Sequence, residues 1–198
     1  MSRQRKYKYL VCDFETTVYE GQITTEVWAS AVVELYSENV TILHSIEETF
    51  NYFLSLECDV VAYYHNLKFD GSFWLDYLIN ILQYDQAFTK LNEDGTKGIW
   101  VNTFQMPNKS FKYMIAQQGQ WYSITIKVNG HTIQLRDSLK LLPFKVREIG
   151  EGFKTKHRKL EMEYKGYRYA GCEITEEEKH YIANDVLVVK EALEILIF

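Results

Sequence analysis

The tightest constraint on the fold comes from the run Tyr7 to Phe14 (YKYLVCDF), with two acids at its end, Asp13 and Glu15. An aromatic and β-branched run of this length reads as a strand. Side chains alternate faces along a strand, so Asp13 and Glu15 point the same way, opposite Phe14. Two carboxylates on one face of a core strand repel each other and lose hydration, which is costly unless a divalent cation compensates them. The alternative is a strand that runs out into solvent, where both acids are simply wet.

The rest of the chain alternates strand and helix signals. Glu26 to Tyr36 and Val40 to His44 read as strands joined by the turn Ser37-Glu38-Asn39. Ile46 to Leu56 carries a helical apolar stripe with Glu47 and Glu48 in its first turn. Asp59 to Tyr64 (DVVAYY) reads as a buried strand, and the spacing of Phe73, Leu75, Leu78, Ile79 and Leu82 predicts a helix from about Phe69 to Leu82. Residues 83–110 are polar and irregular, which predicts a long loop or insertion with a turn at Asn92-Glu93-Asp94-Gly95. Phe111 to Ala116, Trp121 to Val128 and Thr132 to Asp137 predict a meander with a hairpin turn at Asn129-Gly130. Thr175 followed by Glu178 is a capping box that opens a final helix. With 198 residues, no repeat and no linker, the expectation is one α/β domain over 1–198.

Composition narrows the class. Only 2 Pro and 10 Gly argue against a disordered chain, and 3 Cys without a CxxC pair indicate neither a disulfide framework nor a zinc knuckle. A reducing cytoplasm is the expected location, that of the host cell if the chain is phage- or plasmid-encoded. No apolar run approaches the roughly 18 residues of a membrane span, so no membrane partner is expected. The net charge of −5 speaks against a nucleic-acid binder, yet between Lys140 and Arg168 nine Lys/Arg residues face four Glu, a local net of +5. That stretch reads either as a solvated surface or as a phosphate track beside a metal–carboxylate site.

Two more segments hold acids in unusual company. Asp70 follows a buried strand near a helix start, which suits either a dipole-favoured helix acid or a metal ligand. Beside it, Asn66 and the aromatic rings are placed to hold bases or sugars. On the last helix Tyr181 lies about 40° around the axis from Asp185 and His180 about 140° away, at ~100° per residue. A phenol and a carboxylate can therefore converge, with Tyr181 facing the acids and His180 pointing elsewhere. Such a pair is also a common structural feature. Together Asp13, Glu15, Asp70 and Asp185 suit Mg²⁺ or Mn²⁺ rather than softer metals. Two such ions activate a water and stabilise the oxygens at a phosphorus, which is the chemistry of phosphodiester hydrolysis.

CDFETT (12–17), YYHNLKFDG (63–71) and YIAND (181–185) resemble the three exonuclease motifs of family B DNA polymerases, above all the podovirus-type protein-primed enzymes. GQWY (119–122), DSLKLLPFKV (137–146) and EITEEEKHYIANDVLVV (173–189) extend the likeness over nearly the whole chain. The resemblance implies a ribonuclease H-like (DnaQ-like exonuclease) α/β fold with a mixed central β-sheet flanked by helices. It also implies a proofreading 3′–5′ exonuclease that releases nucleoside monophosphates from single-stranded DNA. Asp13, Glu15, Asp70 and Asp185 would hold two metal ions, Tyr181 would orient the attacking water, and Lys159 in KLEM (159–162) would be a catalytic lysine. Thr16, Asn66, Phe69, Ser138 and Leu139 match positions that bind the 3′ end, and Tyr63, His65 and Phe73 match more loosely. For Phe73 and Leu139 core packing is the competing role. The 83–110 stretch is longer than its family counterpart, and no polymerase motifs follow position 185. The chain is thus expected to be an exonuclease domain without polymerase activity, as a fragment or a stand-alone relative, with a polymerase domain or a terminal protein as possible partner. Competing readings are a non-catalytic module that binds single-stranded DNA or a terminal protein, and an endonuclease for RNA·DNA hybrids.

Overall fold

The computed structural model describes residues 6–91, 98–116 and 118–197. At its centre β1 (Tyr7–Glu15), β4 (Asp59–Tyr64) and β10 (His131–Asp137) run parallel, β4 in the middle. Cys12 is in register with Tyr64, and Tyr64 with Asp137, so β4 and β10 end level at one edge of the sheet while β1 runs three residues further, to Glu15. Every residue of β4 is buried. Val60, Ala62 and Tyr64 enter one core and Val61 and Tyr63 the other, which is why DVVAYY is almost wholly apolar.

Antiparallel strands widen this centre into a mixed sheet. β2 (Ala29–Glu34) and β3 (Val40–Leu43) extend it beyond β1; β9 (Trp121–Val128), β8 (Ser110–Ile115) and the short β5 (Asp85–Gln86) extend it beyond β10. The order is β3-β2-β1-β4-β10-β9-β8-β5. α1 (Ile46–Ser55) and α2 (Leu67–Asp76) cover one face, where Trp74 stacks on Phe53 at 5.9 Å and Phe14 meets Tyr64 edge-on at 5.2 Å. α3 (Val146–Gly152) and α4 (Glu176–Ile197) cover the other, contributing Ile149, Ile182, Val186 and Val189 to its core. This is the expected ribonuclease H-like α/β arrangement, a mixed sheet flanked by helices. Among the described residues no helix is long and apolar enough to cross a membrane.

The expected local signals act where they stand. Asn129 and Gly130 both have positive φ, 50° and 76°, which the tight β9–β10 hairpin requires. Thr175 Oγ1 accepts from the Glu178 N–H at 3.2 Å, and the Glu178 carboxylate accepts from the Thr175 N–H at 3.0 Å, completing the capping box.

Several boundaries differ from expectation, most by one or two residues and three with a clear physical cause. β2 starts at Ala29 rather than Glu26: Val27 and Trp28 are buried, and the Trp28 N–H still reaches the last residue of β1, donating to Glu15 O at 3.1 Å, while its indole donates to Thr17 O at 3.0 Å. The aromatic signal there marks burial, not a longer strand. α2 begins at Leu67 and gives way to a π-helical turn at Tyr77–Ile81, closed by Leu82 N–H to Tyr77 O at 2.9 Å. Apolar spacing does not register one widened turn. The stretch 83–110 is not simply a loop. It contains β5, paired parallel to β8, a separate two-stranded antiparallel sheet of β6 (Phe88–Leu91) and β7 (Gly98–Trp100), and a 3₁₀ turn at Thr103–Gln105. Both residues of β5 are exposed, so no alternation announces it. The expected turn at Asn92-Glu93-Asp94-Gly95 lies outside the described residues.

Gly71 in α2 packs against the first residue of β9. A Cβ there would lie 2.9 Å from Cζ3 and 3.0 Å from Cε3 of Trp121. Gly71→Val is therefore expected to destabilise the chain by ~1–3 kcal/mol through overpacking, read from urea unfolding. Unchanged or increased stability would show that the indole yields without cost.

Candidate active site

The shared register of β1, β4 and β10 sets three segments side by side, 13–16, 65–70 and 137–139, and α4 packs across β1 and β2 beside them. Asp13 and Glu15 share the α4 face of β1 because they lie two residues apart, while Phe14 enters the opposite core. Oxygens of Asp13, Glu15 and Asp185 all lie within 4.8 Å of one another. Asp70, in the first turn of α2 and only 3% exposed, is outside that threesome but adjoins it; its charge is the strongest that Asp13 feels.

Burial is the first cause of every carboxyl shift here. It pushes Asp13 well above the usual carboxylate range, reinforced by the charges of Asp70, Glu15 and Asp185 and offset by Lys159. Glu15 is raised to about 7 by burial and by Asp185, against the lowering influence of the Tyr164 hydroxyl and Lys159. Burial likewise raises Asp70 to about 8, although the backbone N–H groups of Asp70 itself and Phe14 favour its ionised form. Asp185 is raised by burial and held back by Lys159. Two carboxylate oxygens, Asp70 Oδ1 and Asp185 Oδ1, are buried without a hydrogen-bond partner. Unpaired buried oxygens are expensive, and an all-oxygen donor set with excess negative charge fits a hard divalent cation.

Lys159 closes the site from the loop before α4. Its Nζ pairs with Asp185, donates to Tyr181 Oη at 3.0 Å and lies 4.7 Å from the Tyr181 ring centroid. Burial alone would lower its pKa, but the bonds to Asp185 and Tyr181 raise it to about 12, so it is a fixed cation. Tyr181 thus faces the acids and His180 is exposed, as the helical angles require.

The expected strand-end contacts divide by accessibility. Asn66 is exposed, in a left-handed conformation (φ 74°) at the start of α2, and Phe69 is 50% exposed with its ring edge-on to Phe73 at 5.7 Å. Phe73 and Leu139 are half-buried, Phe73 packing against the α2-side core. Thr16 and Tyr63 are buried, Tyr63 in the core beneath α4. Ser138 is fully buried, its hydroxyl donating to Tyr64 O at 3.2 Å. Both ring nitrogens of His65 are engaged, Nδ1 with Ser138 Oγ at 3.1 Å and Nε2 with Phe144 O at 2.8 Å.

Two further residues belong to the site that sequence patterns did not single out. Tyr164 stands beside Glu15, edge-on to Trp28 at 4.8 Å and to Tyr181 at 5.7 Å, while the Arg168 guanidinium lies 4.6 Å from the Trp28 ring. Arg168 is in turn held by the buried Glu178 carboxylate. Asp137, at the end of β10, is buried and accepts from two backbone N–H groups. A tyrosine in a loop and an acid closing a strand carry no periodic signal.

The raised carboxyls oppose folding at alkaline pH. A folded-state pKa above the unfolded value means that the native chain holds more protons, so stability is full at low pH and falls as pH rises from about 4 through about 8. Without divalent cation, Glu15→Gln should raise the melting temperature over wild type, with a gap that widens from about pH 5 to about pH 8. The scale is roughly 2–4 °C per kcal/mol for a chain of this size. A gap independent of pH would show that Glu15 ionises as an ordinary surface carboxylate.

Comparison with known proteins places the chain in a family. The model of the family described as DNA polymerase type B, organellar and viral, matches residues 57–173. The DNA polymerase of Bacillus phage Nf is 34% identical over 195 residues, covering 95% of this chain and 30% of that protein. That of Streptococcus phage Cp-1 is 30% identical over 159 residues, covering 74% of this chain and 23% of its own length. A solved structure of phi29 DNA polymerase complexed with single-stranded DNA matches with a TM-score of 0.74 at 31% identity, over 97% of this chain and 31% of that one. The chain thus spans about 30% of the length of the first of these curated relatives. With more than half of its length under the family model, the chain belongs to the organellar and viral type B DNA polymerases.

Proposed function

We propose that residues 1–198 form a 3′–5′ exonuclease domain that hydrolyses single-stranded DNA from its 3′ end and releases nucleoside monophosphates. It serves as the proofreading part of a protein-primed polymerase or as a stand-alone relative, in the cytoplasm of a phage-infected cell. One observation carries the reading: three carboxylates within 4.8 Å, adjoined by a fourth, with two buried oxygens left unpaired beside a fixed lysine and a phenol.

Asp13, Glu15, Asp70 and Asp185 would hold two Mg²⁺ or Mn²⁺ ions. Such ions supply a nucleophilic water at neutral pH and charge stabilisation at the phosphorus. The protein's own part is positional. Tyr181, fixed through its hydroxyl by Lys159 at 3.0 Å, is placed to orient that water. Lys159 keeps its charge and offsets negative charge that develops on the phosphate oxygens. Asn66 and the half-exposed Phe69 lie on the same sheet edge as the acids and offer an amide and a ring to the sugar and base of a strand end. Binding of single-stranded DNA is supported by the relative solved with such a strand. A polymerase domain or a terminal protein is the natural partner.

Replacing both Asp13 and Glu15 by Ala should abolish Mg²⁺-dependent shortening of a 5′-labelled oligonucleotide, while wild type produces a one-nucleotide ladder and leaves a circular single strand intact. Cutting of the circle would favour an endonuclease. Binding without release of mononucleotides would favour a non-catalytic module.

The two neighbours on α4 give a second test. Tyr181→Phe should lower the rate roughly 10- to 100-fold, and His180→Ala should leave it unchanged. The reverse pattern would assign the water-orienting role to the histidine.

A further inference from the structure

The two segments that carry Asn66 and Leu139 are far apart in sequence and are joined at the site by one buried acid. Asp137 Oδ1 accepts from the Asn66 N–H at 3.1 Å and from the Leu139 N–H at 3.0 Å. The carboxylate is 6% exposed and lies on the α2 face of the sheet, in register with Tyr64. Both amides need an external acceptor. Asn66 is left-handed (φ 74°) and makes no side-chain cap for α2, and Leu139 lies in the 3₁₀ turn at Ser138–Lys140 that Asp137 caps. Single residues outside glycine adopt the left-handed region at a cost and persist only where surrounding contacts determine them. The acceptor shared with Leu139 is such a contact.

A second link runs in parallel. Ser138 Oγ donates to Tyr64 O at 3.2 Å and meets His65 Nδ1 at 3.1 Å, and His65 Nε2 meets Phe144 O at 2.8 Å. The ends of β4 and β10 are therefore laced by side chains where the ladder between them has stopped. Of these links Asp137 alone reaches the backbone of Asn66, whose neighbours Phe69 and Asp70 lie in the first turn of α2.

We infer that Asp137 is a positioning residue: it joins the Asn66 and Leu139 turns into one wall that receives the strand's 3′ end. This rests on the exonuclease reading. The feature of Asp137 that makes the clasp is the one carboxylate oxygen that accepts from both backbone N–H groups. The isosteric Asp137→Asn retains an acceptor oxygen at that place, whereas Asp137→Ala removes it.

Steady-state hydrolysis of a 3′-ended oligonucleotide separates the roles. Loss of a wall that binds ground state and transition state alike raises KM and spares kcat. Asp137→Ala is expected to raise KM at least about fivefold with kcat within about twofold of wild type, and Asp137→Asn to restore KM to within about twofold. An unchanged KM in the Ala variant, a loss confined to kcat, or an Asn variant as impaired as Ala overturns the inference. Amide hydrogen exchange on the wild-type chain is independent of whether the Ala variant folds. Protection of both the Asn66 and Leu139 amides supports the clasp, and free exchange of either overturns it. A wild-type chain that binds the oligonucleotide without releasing mononucleotides removes the proposed chemistry only. The clasp is then judged by the same weakening of the oligonucleotide Kd in Asp137→Ala and its recovery in Asp137→Asn.

Discussion

Like charge gathered at the edge of a packed sheet governs this protein. Asp13, Glu15 and Asp185 bring their oxygens within 4.8 Å of one another, and Asp70 adds a fourth buried carboxyl. Hydrophobic burial elsewhere must hold that arrangement closed, since each acid prefers water and the others push it away. The two cores, one beneath α1 and α2 and the other beneath α3 and α4, supply that force from opposite faces of one sheet. Lys159 offsets part of the repulsion through Asp185, and the remaining charge is what makes the cluster attractive to a hard cation.

Three parallel strands make the convergence possible. Parallel neighbours end on the same side, so segments separated by tens of residues in sequence leave β1, β4 and β10 at one edge. That edge is where an α/β sheet most readily builds a ligand site. α4 then crosses the face of β1 and β2, with its apolar side against Val11, Ala31 and Val33, and this crossing carries Tyr181 and Asp185 to the acids. The shape of the site is therefore a by-product of the core packing that α4 completes.

Around the acids the supporting contacts are of two kinds. Aromatic and cationic groups form one wall: Trp28, Tyr164 and Tyr181 meet edge-on, and Arg168 spans Trp28 and Tyr164 while Glu178 anchors it to the start of α4. The capping box of that helix thus has a second use, because the carboxylate that satisfies the Thr175 N–H also fixes the arginine. On the opposite side, hydrogen bonds accepted by Asp137 and those made by Ser138 and His65 bind the ends of β4 and β10. The first wall is rigid by packing and the second by direction. A site made in this way holds its four acids and Tyr181 on strands and helix turns, where side chains are best fixed.

Much of this was legible in the residues themselves, and the reason is locality. Alternation along Tyr7–Glu15 placed Asp13 and Glu15 on one face, helical phase placed Tyr181 rather than His180 towards Asp185, and Asn129-Gly130 and the Thr175–Glu178 pair marked a turn and a cap. Each is a property of consecutive residues and needs no knowledge of the rest of the chain. The tertiary structure alone decided that Lys159 meets Asp185, that Tyr164 stands against Glu15, that Ser138 is buried, and that Asp137 ties the distant Asn66 amide to that of Leu139. It also decided that polar Asp85–Gln86 becomes an edge strand beside β8. Those outcomes depend on strand register and on where α4 crosses the sheet. Both are settled by the packing of whole elements, and no short stretch of residues contains that information.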